Sequence, residues 1–260
     1  MLDYAVAIPT RGMDRADLLK AWLPPACWFS ADPPALILII NNNEGLTDSK
    51  LLKHIQHSDR PIPLEVMSNP FPTKSDAAGS QAAFQHLWRN YRTIVKWDDD
   101  LIPESDCWPR LVGLVEGGFA AAGGMYYRLM DPRRSCMDHG SIKSGDEHQG
   151  HVQFFRWNSK HTVLRRRHLY SSFAYDGEAA HRIGGFWPEY SRLSYRHETD
   201  FTLRIDQHRP GLAVDTAAEA MHLVSEGGVR EITPMEYKAF AQQDSNTFAT
   251  RMKERGIVWA

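Results

Sequence analysis

The apolar positions of the chain fall into short continuous runs and longer helical periods, and their alternation predicts the fold. Residues 4–8 form a buried strand ended by Pro9, followed by the loop Thr10-Arg11-Gly12. Asp14 stands at the start of a helix carried by Leu18, Leu19 and Trp22 and stopped at Pro24-Pro25. Residues 35–40 are apolar without alternation, as a strand covered on both faces is, and they end in Asn41-Asn42-Asn43. Residues 64–67 make a weaker third strand, and residues 75–90 place Ala78, Ala82 and Leu87 at helical spacing. A β-branched run at residues 93–95 then leads through Trp97 into Asp98-Asp99-Asp100, with Pro103 closing the extended stretch. This alternation predicts an α/β fold with a parallel sheet and right-handed crossovers. Ligands bind such sheets beyond the C-terminal strand ends, where Thr10-Arg11, the Asn41 run and the Asp98 run all fall.

The second half is less regular. Residues 111–122 read as helix or apolar core, broken by Gly123-Gly124 before a strand at 125–128. Residues 129–150 are charged and rich in glycine and histidine, including Arg133, Arg134, His139 and His148, with His151 just beyond. A stretch of that length is a lid or a disordered segment, and the irregular histidine spacing favours a solvated loop over a metal site. Strands follow at 152–156 and 162–165, then a basic cluster at 165–168 that is either a solvated face or a phosphate contact. Gly184-Gly185 form a turn beside Phe186 and Trp187, and 198–204 read as the start of a helix with an acidic first turn. Short strands are predicted at 212–214 and 220–224. Thr233-Pro234-Met235-Glu236 is a capping box with proline in the first helical position, opening a helix to Gly256. With no repeats and no linker, residues 1–260 are expected to form one domain.

Composition narrows the function classes. At 42% hydrophobic, 24% charged and a net charge of -2 over 260 residues, the chain has an ordinary globular profile rather than that of a dedicated nucleic-acid binder. Its three cysteines, Cys27, Cys107 and Cys136, have neither zinc-ligand nor redox spacing. No run reaches the length of a membrane span and no signal-peptide pattern opens the chain, so a cytoplasmic location is expected. Three adjacent carboxylates call for a counter-charge. At an alternating strand end Asp98 and Asp100 would point the same way and offer two hard oxygen ligands to Mg²⁺ or Mn²⁺; a solvated acidic turn is the alternative.

These pieces, in this order, resemble the GT-A fold of family 2-type glycosyltransferases, over roughly residues 4–224. Residues 6–11 resemble the opening strand and its nucleotide-contacting turn, and 39–43 the strand that ends at the base-binding position. Residues 74–83 resemble the helix behind the donor phosphates, and 95–100 the Asp-x-Asp metal motif. The Gly185 turn followed by His197-Glu198-Thr199-Asp200 and Arg204 resembles the acceptor-side turn and the Glu-Asp-x-Asp-Leu-x-x-Arg motif, and His222 stands at a histidine metal-ligand position. The resemblance implies a Rossmann-like, mostly parallel sheet flanked by helices, with a small antiparallel acceptor-side sheet. It divides the domain into a nucleotide-sugar half (1–103), an acceptor half (104–225) and a helical extension (226–260). It also implies a metal-dependent, inverting hexosyltransferase. Mn²⁺ or Mg²⁺ would be held by Asp98, Asp100 and His222. The donor, a UDP-sugar foremost, would meet Pro9, Thr10, Arg11, Asn41, Asn43, Lys74 and Asp99. Glu198 would be the general base, and Asp200, placed with it in the catalytic pair, would orient the acceptor or pair with Arg204 rather than perform chemistry. Gly185, Phe186, Trp187 and Arg204 would meet an acceptor hydroxyl on a glycan, a small molecule or a modified base in DNA. Two departures stand out. Asn41 to Asn43 replace the family's acidic residue, although an amide can still bond a base edge, and His197-Glu198 replaces Glu-Asp. Other classes remain to be weighed: a nucleotidyltransferase, which would need a glycine-rich basic loop where Pro9 to Asp14 has one glycine, and a non-catalytic nucleotide- or sugar-binding module.

Overall fold

The computed structural model describes residues 2–56, 61–129, 163–169, 171–223 and 232–259. In order the elements are β1 (Tyr4–Thr10), α1 (Met13–Phe29), β2 (Leu36–Asn41), α2 (Asp48–Ile55), β3 (Leu64–Ser68), α3 (Asp76–Leu87), β4 (Thr93–Lys96), β5 (Leu101–Pro103), α4 (Cys107–Glu116), β6 (Ala121–Leu129), β7 (Val163–Arg166), β8 (Phe173–Asp176), α5 (Gly177–Arg182), α6 (His197–His208), β9 (Leu212–Leu223) and α7 (Pro234–Glu254). One sheet runs in the order β3-β2-β1-β4-β8-β6-β9-β5, with β7 also on β9. The first four strands of that order are parallel; β8 then pairs antiparallel with both β4 and β6, so the antiparallel part continues the same sheet. This is the expected helix-flanked α/β architecture.

The period of two along the buried strands decides which helix each face meets. On β1, Tyr4, Val6 and Ile8 join one core with Leu19 and Trp22 of α1 and Trp108 and Leu111 of α4. Ala5 and Ala7 face the other way, with Leu38, Ile40, Phe84 of α3 and the aromatic group Phe173, Phe186 and Phe201. On β4 the same alternation sends Val95 into the first core and Ile94 into the second. Lys96 shares the parity of Ile94 and comes out towards α3 and α6. Small residues let α3 lie close on the sheet: a Cβ at Gly79 would meet Pro9 Cβ at 3.0 Å.

Several boundaries differ from the sequence expectation, each for a local reason. β1 continues through Pro9 to Thr10, because the ladder with β4 ends at Ala7–Lys96 and leaves no partner for the missing N–H. α1 runs through Pro24 and Pro25; the residues four back, Lys20 and Ala21, are exposed, so the carbonyls freed by the prolines reach water. Asp14 lies in the first turn of that helix and makes no cap, the N-cap being Gly12. Gly123-Gly124 sit inside β6 at a register shift, where a Cβ on Gly124 would stand 2.2 Å from Ala218 O of β9. β9 is one strand where two were expected, and β5 includes Pro103. The capping box of α7 is present as predicted. The predicted strand at 152–156, the histidines and arginines of 130–151 and Cys136 lie outside the described residues.

Candidate active site

A cleft of about 690 Å³ opens beyond the C-terminal ends of β1 and β4. Its floor is Pro9, Thr10 and Arg11 after β1 and Asp98, Asp99 and Asp100 after β4. Its sides are Lys74, Ser75 and Asp76 at the start of α3, residues 192–199 before and into α6, and His222 of β9. The candidates Pro9, Thr10, Arg11, Lys74, Asp98, Asp99, Asp100, Glu198 and His222 are therefore brought together.

The acidic run is not a strand end. β4 stops at Lys96, and the buried Trp97 indole N–H donates to Leu101 O at 2.7 Å, tying the chain across a turn that splays the three aspartates. Asp98 turns to Lys96 Nζ at 2.6 Å and to the Ser171 hydroxyl, and its N–H donates to Ser172 Oγ at 2.8 Å. Asp99 accepts from Thr10 Oγ1 at 2.8 Å and from Arg15 at 3.2 Å. Burial pushes its pKa up to about 7, with the Arg15 charge opposing. Asp100 pairs with Arg15 at 2.7 Å and His222 Nε2 at 3.3 Å. Burial would raise the pKa of Asp100, but His222 and Arg15 more than offset it and hold the group below the usual carboxylate range. The predicted trio of Asp98, Asp100 and His222 thus reduces to the pair Asp100–His222, because Lys96 and Ser171 turn Asp98 elsewhere.

On the side of Glu198 a second charge cluster forms around Lys96, which is 1% exposed. Lys96 Nζ lies 2.9 Å from Asp76 Oδ2 and 3.2 Å from Glu198 Oε1. His197 Nδ1 lies 3.0 Å from Glu198 Oε2 and 2.6 Å from Ser194 O, while Nε2 makes an ion-pair contact of 2.8 Å with Asp76 that is not aligned as a hydrogen bond. Burial raises the pKa of Glu198, with His197 and Lys96 opposing. Burial would lower Lys96 and His197, but their carboxylate neighbours outweigh it and both are raised. Among the described residues, the non-glycine ones with positive φ, Ser171 (56°), Ser194 (55°) and Arg196 (73°), surround this cluster. Backbone strain of this kind gathers at functional sites. Among the described residues, Asp76, His197 and Glu198 are the one group of three with ligand atoms within 4.8 Å of one another, and an ammonium already touches two of them.

Other candidates fall outside the cleft lining. Asp200 is 0% exposed and accepts from Arg204, Arg251 and the Tyr190 hydroxyl, so it braces the fold behind the site instead of facing a substrate. Arg204 donates to Ile183 O at 2.9 Å and Gly185 O at 2.8 Å and so holds the glycine turn. Gly185 has φ 74° and abuts Gln81 and Phe84. Phe186 stacks on Phe201 at 4.0 Å inside the core, and Trp187 lies under Arg251. Asn41 bonds Leu46 O and Asp48, and Asn43 accepts from Gly12 N. Of that run it is Asn42 that lines the cleft. Arg15, Asp76, Lys96 and His197 were missed. A local signal was the placement of Lys96 and His197 beside residues already singled out.

The Asp100–His222 pair fits a divalent cation by its chemistry: a hard carboxylate oxygen and an imidazole nitrogen, both at the cleft, suit Mn²⁺ or Mg²⁺. No family model matches the sequence, nor does any curated protein. Solved structures match by shape. S. aureus TarS 1–349 in complex with UDP-GlcNAc shares 10% identity at TM-score 0.64, over 96% of this chain and 66% of that one. GalNAc-T7 with UDP, GalNAc and Mn²⁺ shares 13% identity at TM-score 0.62, over 93% of this chain and 48% of that one. A mycobacterial protein shares 12% identity at TM-score 0.58, over 96% and 74%. The chain thus spans about two thirds of TarS 1–349 and about half of GalNAc-T7. Likeness at such identities establishes the fold, which is GT-A.

Proposed function

We propose that the chain is a metal-dependent glycosyltransferase that moves a sugar from a nucleotide-sugar donor to an acceptor hydroxyl. The observation that carries the reading is one cleft with the Asp100–His222 pair and Glu198, on a fold shared with proteins solved with UDP-GlcNAc and with UDP, GalNAc and Mn²⁺. Mn²⁺ or Mg²⁺ at Asp100 and His222 would supply charge neutralisation to the departing diphosphate. Arg11 and Lys74, which line the same cleft, add positive charge for the donor phosphates, and Thr10 and Asn42 stand near as polar contacts for the nucleoside. Arg15 ties Asp99 and Asp100 together and so fixes the position of the ligand carboxylate. Glu198 takes the proton of the acceptor hydroxyl. The acceptor oxygen bonds to the anomeric carbon while the bond from that carbon to the diphosphate oxygen breaks, and its electron pair leaves with the nucleotide. A burial-raised pKa suits a carboxylate that must hold that proton near neutral pH. One displacement of this kind inverts the anomeric centre.

The acceptor is a glycan or a small molecule. For DNA no observation adds support: Arg133 and Arg134 lie outside the described residues, and Arg165 to Arg167 do not line the cleft. No helix among the described residues is long and apolar enough to cross a membrane.

Calorimetric binding of UDP-, GDP- and dTDP-sugars, with Mn²⁺, with Mg²⁺ and with chelator, tests the reading. A metal-dependent donor should emerge. Binding should weaken at least tenfold in His222→Ala and persist in Glu198→Gln, and turnover should be lost in both. Absence of metal-dependent binding to every donor would sink the proposal. The anomeric proton coupling of the product reports inversion.

A further inference from the structure

Glu198 does not face the cleft alone. Lys96 reaches one of its carboxylate oxygens from β4 and His197 the other from α6, while Asp76 of α3 and Asp98 complete the surroundings. Both cations are almost fully buried, at 1% and 3% exposure. The protonation of His197 follows from its contacts. Ser194 O can only accept, so Nδ1 carries a proton, and the carboxylates of Asp76 at 2.8 Å and Glu198 at 3.0 Å favour a second one on Nε2. An ammonium and an imidazolium are thereby set against three carboxylates, Asp76, Asp98 and Glu198, all of which line the cleft.

We infer that Lys96 and His197 are positioning residues for Glu198: one cation on each carboxylate oxygen fixes the group at the cleft surface and keeps it ionised, the state a proton acceptor needs. The inference rests on reading Glu198 as the base. Without Lys96, burial and the charges of Asp76 and Asp98 would drive Glu198 towards its neutral acid, which cannot take a proton. Without the His197 charge, Oε2 would lose the cation beside it, and Lys96 alone would hold the group through Oε1. The ring Lys96–Glu198–His197–Asp76 closes on itself, so each cation also restrains the other.

The test does not depend on turnover. Protein carrying carboxyl-¹³C glutamate is titrated by NMR, with the Glu198 resonance assigned by its absence in Glu198→Gln. Lys96→Met and His197→Asn, which keeps an N–H for Ser194 O but no charge, should each move the Glu198 midpoint up by about one pH unit or more, a tenfold change. Lys96→Arg should leave it near the wild-type value. Should Lys96→Met fail to fold, His197→Asn decides alone. A midpoint within a few tenths of a unit of wild type in a folded uncharged variant overturns the inference. In a transfer assay the acid limb of kcat/KM should move by the same amount while donor affinity is unchanged; a lowered kcat with an unmoved limb overturns it too. A wild-type protein that transfers no sugar would defeat the proposed function but leave the titration result standing.

Discussion

Asparagine at position 200 separates a brace from a catalytic group. Asp200 is 0% exposed, takes the Tyr190 hydroxyl at 2.9 Å on Oδ2, and pairs with Arg204 and Arg251. Those two guanidinium groups are themselves buried, at 3% and 6% exposure. An amide is isosteric with the carboxylate but turns an N–H₂ towards one of the arginine donors, and it leaves both cations without a counter-charge. Taking one partner from a buried ion pair costs about 3–5 kcal/mol. In a domain of this size each kcal/mol lowers Tm by about 2–4 °C, so Asp200→Asn should melt on the order of 10 °C lower at pH 7. The pH dependence has a definite sign. Burial would raise the pKa of Asp200, but Arg204 and Arg251 outweigh it and the folded value lies below the unfolded one. The contribution is therefore complete above the unfolded pKa of about 3.9 and is lost as pH falls through the folded pKa. Wild type and variant should differ most near neutrality and converge in acid, by circular dichroism melts across a pH series. A variant that melts within about 2 °C of wild type at pH 7, yet has lost transfer activity, would refute the bracing role and restore Asp200 to the chemistry.

Three further outcomes follow from the packing. Gly124→Ala would push a Cβ to 2.2 Å from Ala218 O, so β6 and β9 must part, and urea unfolding should register a loss of about 1–3 kcal/mol. Thr233→Ala removes the acceptor for Glu236 N and half of the capping box of α7; about 1 kcal/mol should be lost, with faster amide exchange in the first turn. Asp244 accepts from Ser191 N at 2.7 Å, Ser191 Oγ at 2.8 Å and Tyr195 N at 2.8 Å, and so ties α7 to the loop beside the cleft. Asp244→Ala should raise the acceptor KM roughly tenfold, near the value of one charge-assisted hydrogen bond, with donor affinity intact.

The parallel half of the fold was legible because β1, β2 and β4 are buried on both faces and need no partner information to be recognised: residues 35–40 could hardly be anything else. Errors gathered where a tertiary contact overrules a local breaker. Pro9 ends strands in general but not where the neighbouring ladder has already stopped, and Gly123-Gly124 break helices, yet Gly124 is required where β9 comes too close for a side chain. β8 and α5 were missed entirely. Residues 173–182 carry neither a clean alternation nor a helical stripe of any length, and their placement comes from pairing with β4 and β6 on either side.

The site divides in the same way, between residue type and residue partner. Carboxylates, a histidine and a cation at strand ends can be read from the chain, and they do gather in one cleft. The directions of Asp99 and Glu198 depend on partners far away in sequence: Arg15 and Thr10 for Asp99, across 84 and 89 positions, and Lys96 for Glu198, across 102. The alternation that would have put Asp98 and Asp100 side by side ends with the strand at Lys96, and from there the counter-charges take over. Lys96 itself belongs to the strand pattern, as the one cation in a fully buried β4 whose other members are Thr93, Ile94 and Val95. A lysine is not kept in such a position for its hydrophobic stem, since Leu or Met would fill the same volume without a desolvation cost. Its burial is compensated only if carboxylates are waiting on that face. Lys96 thus calls for carboxylates on its own face; Asp98 and Glu198 were singled out from the chain, and Asp76 was not.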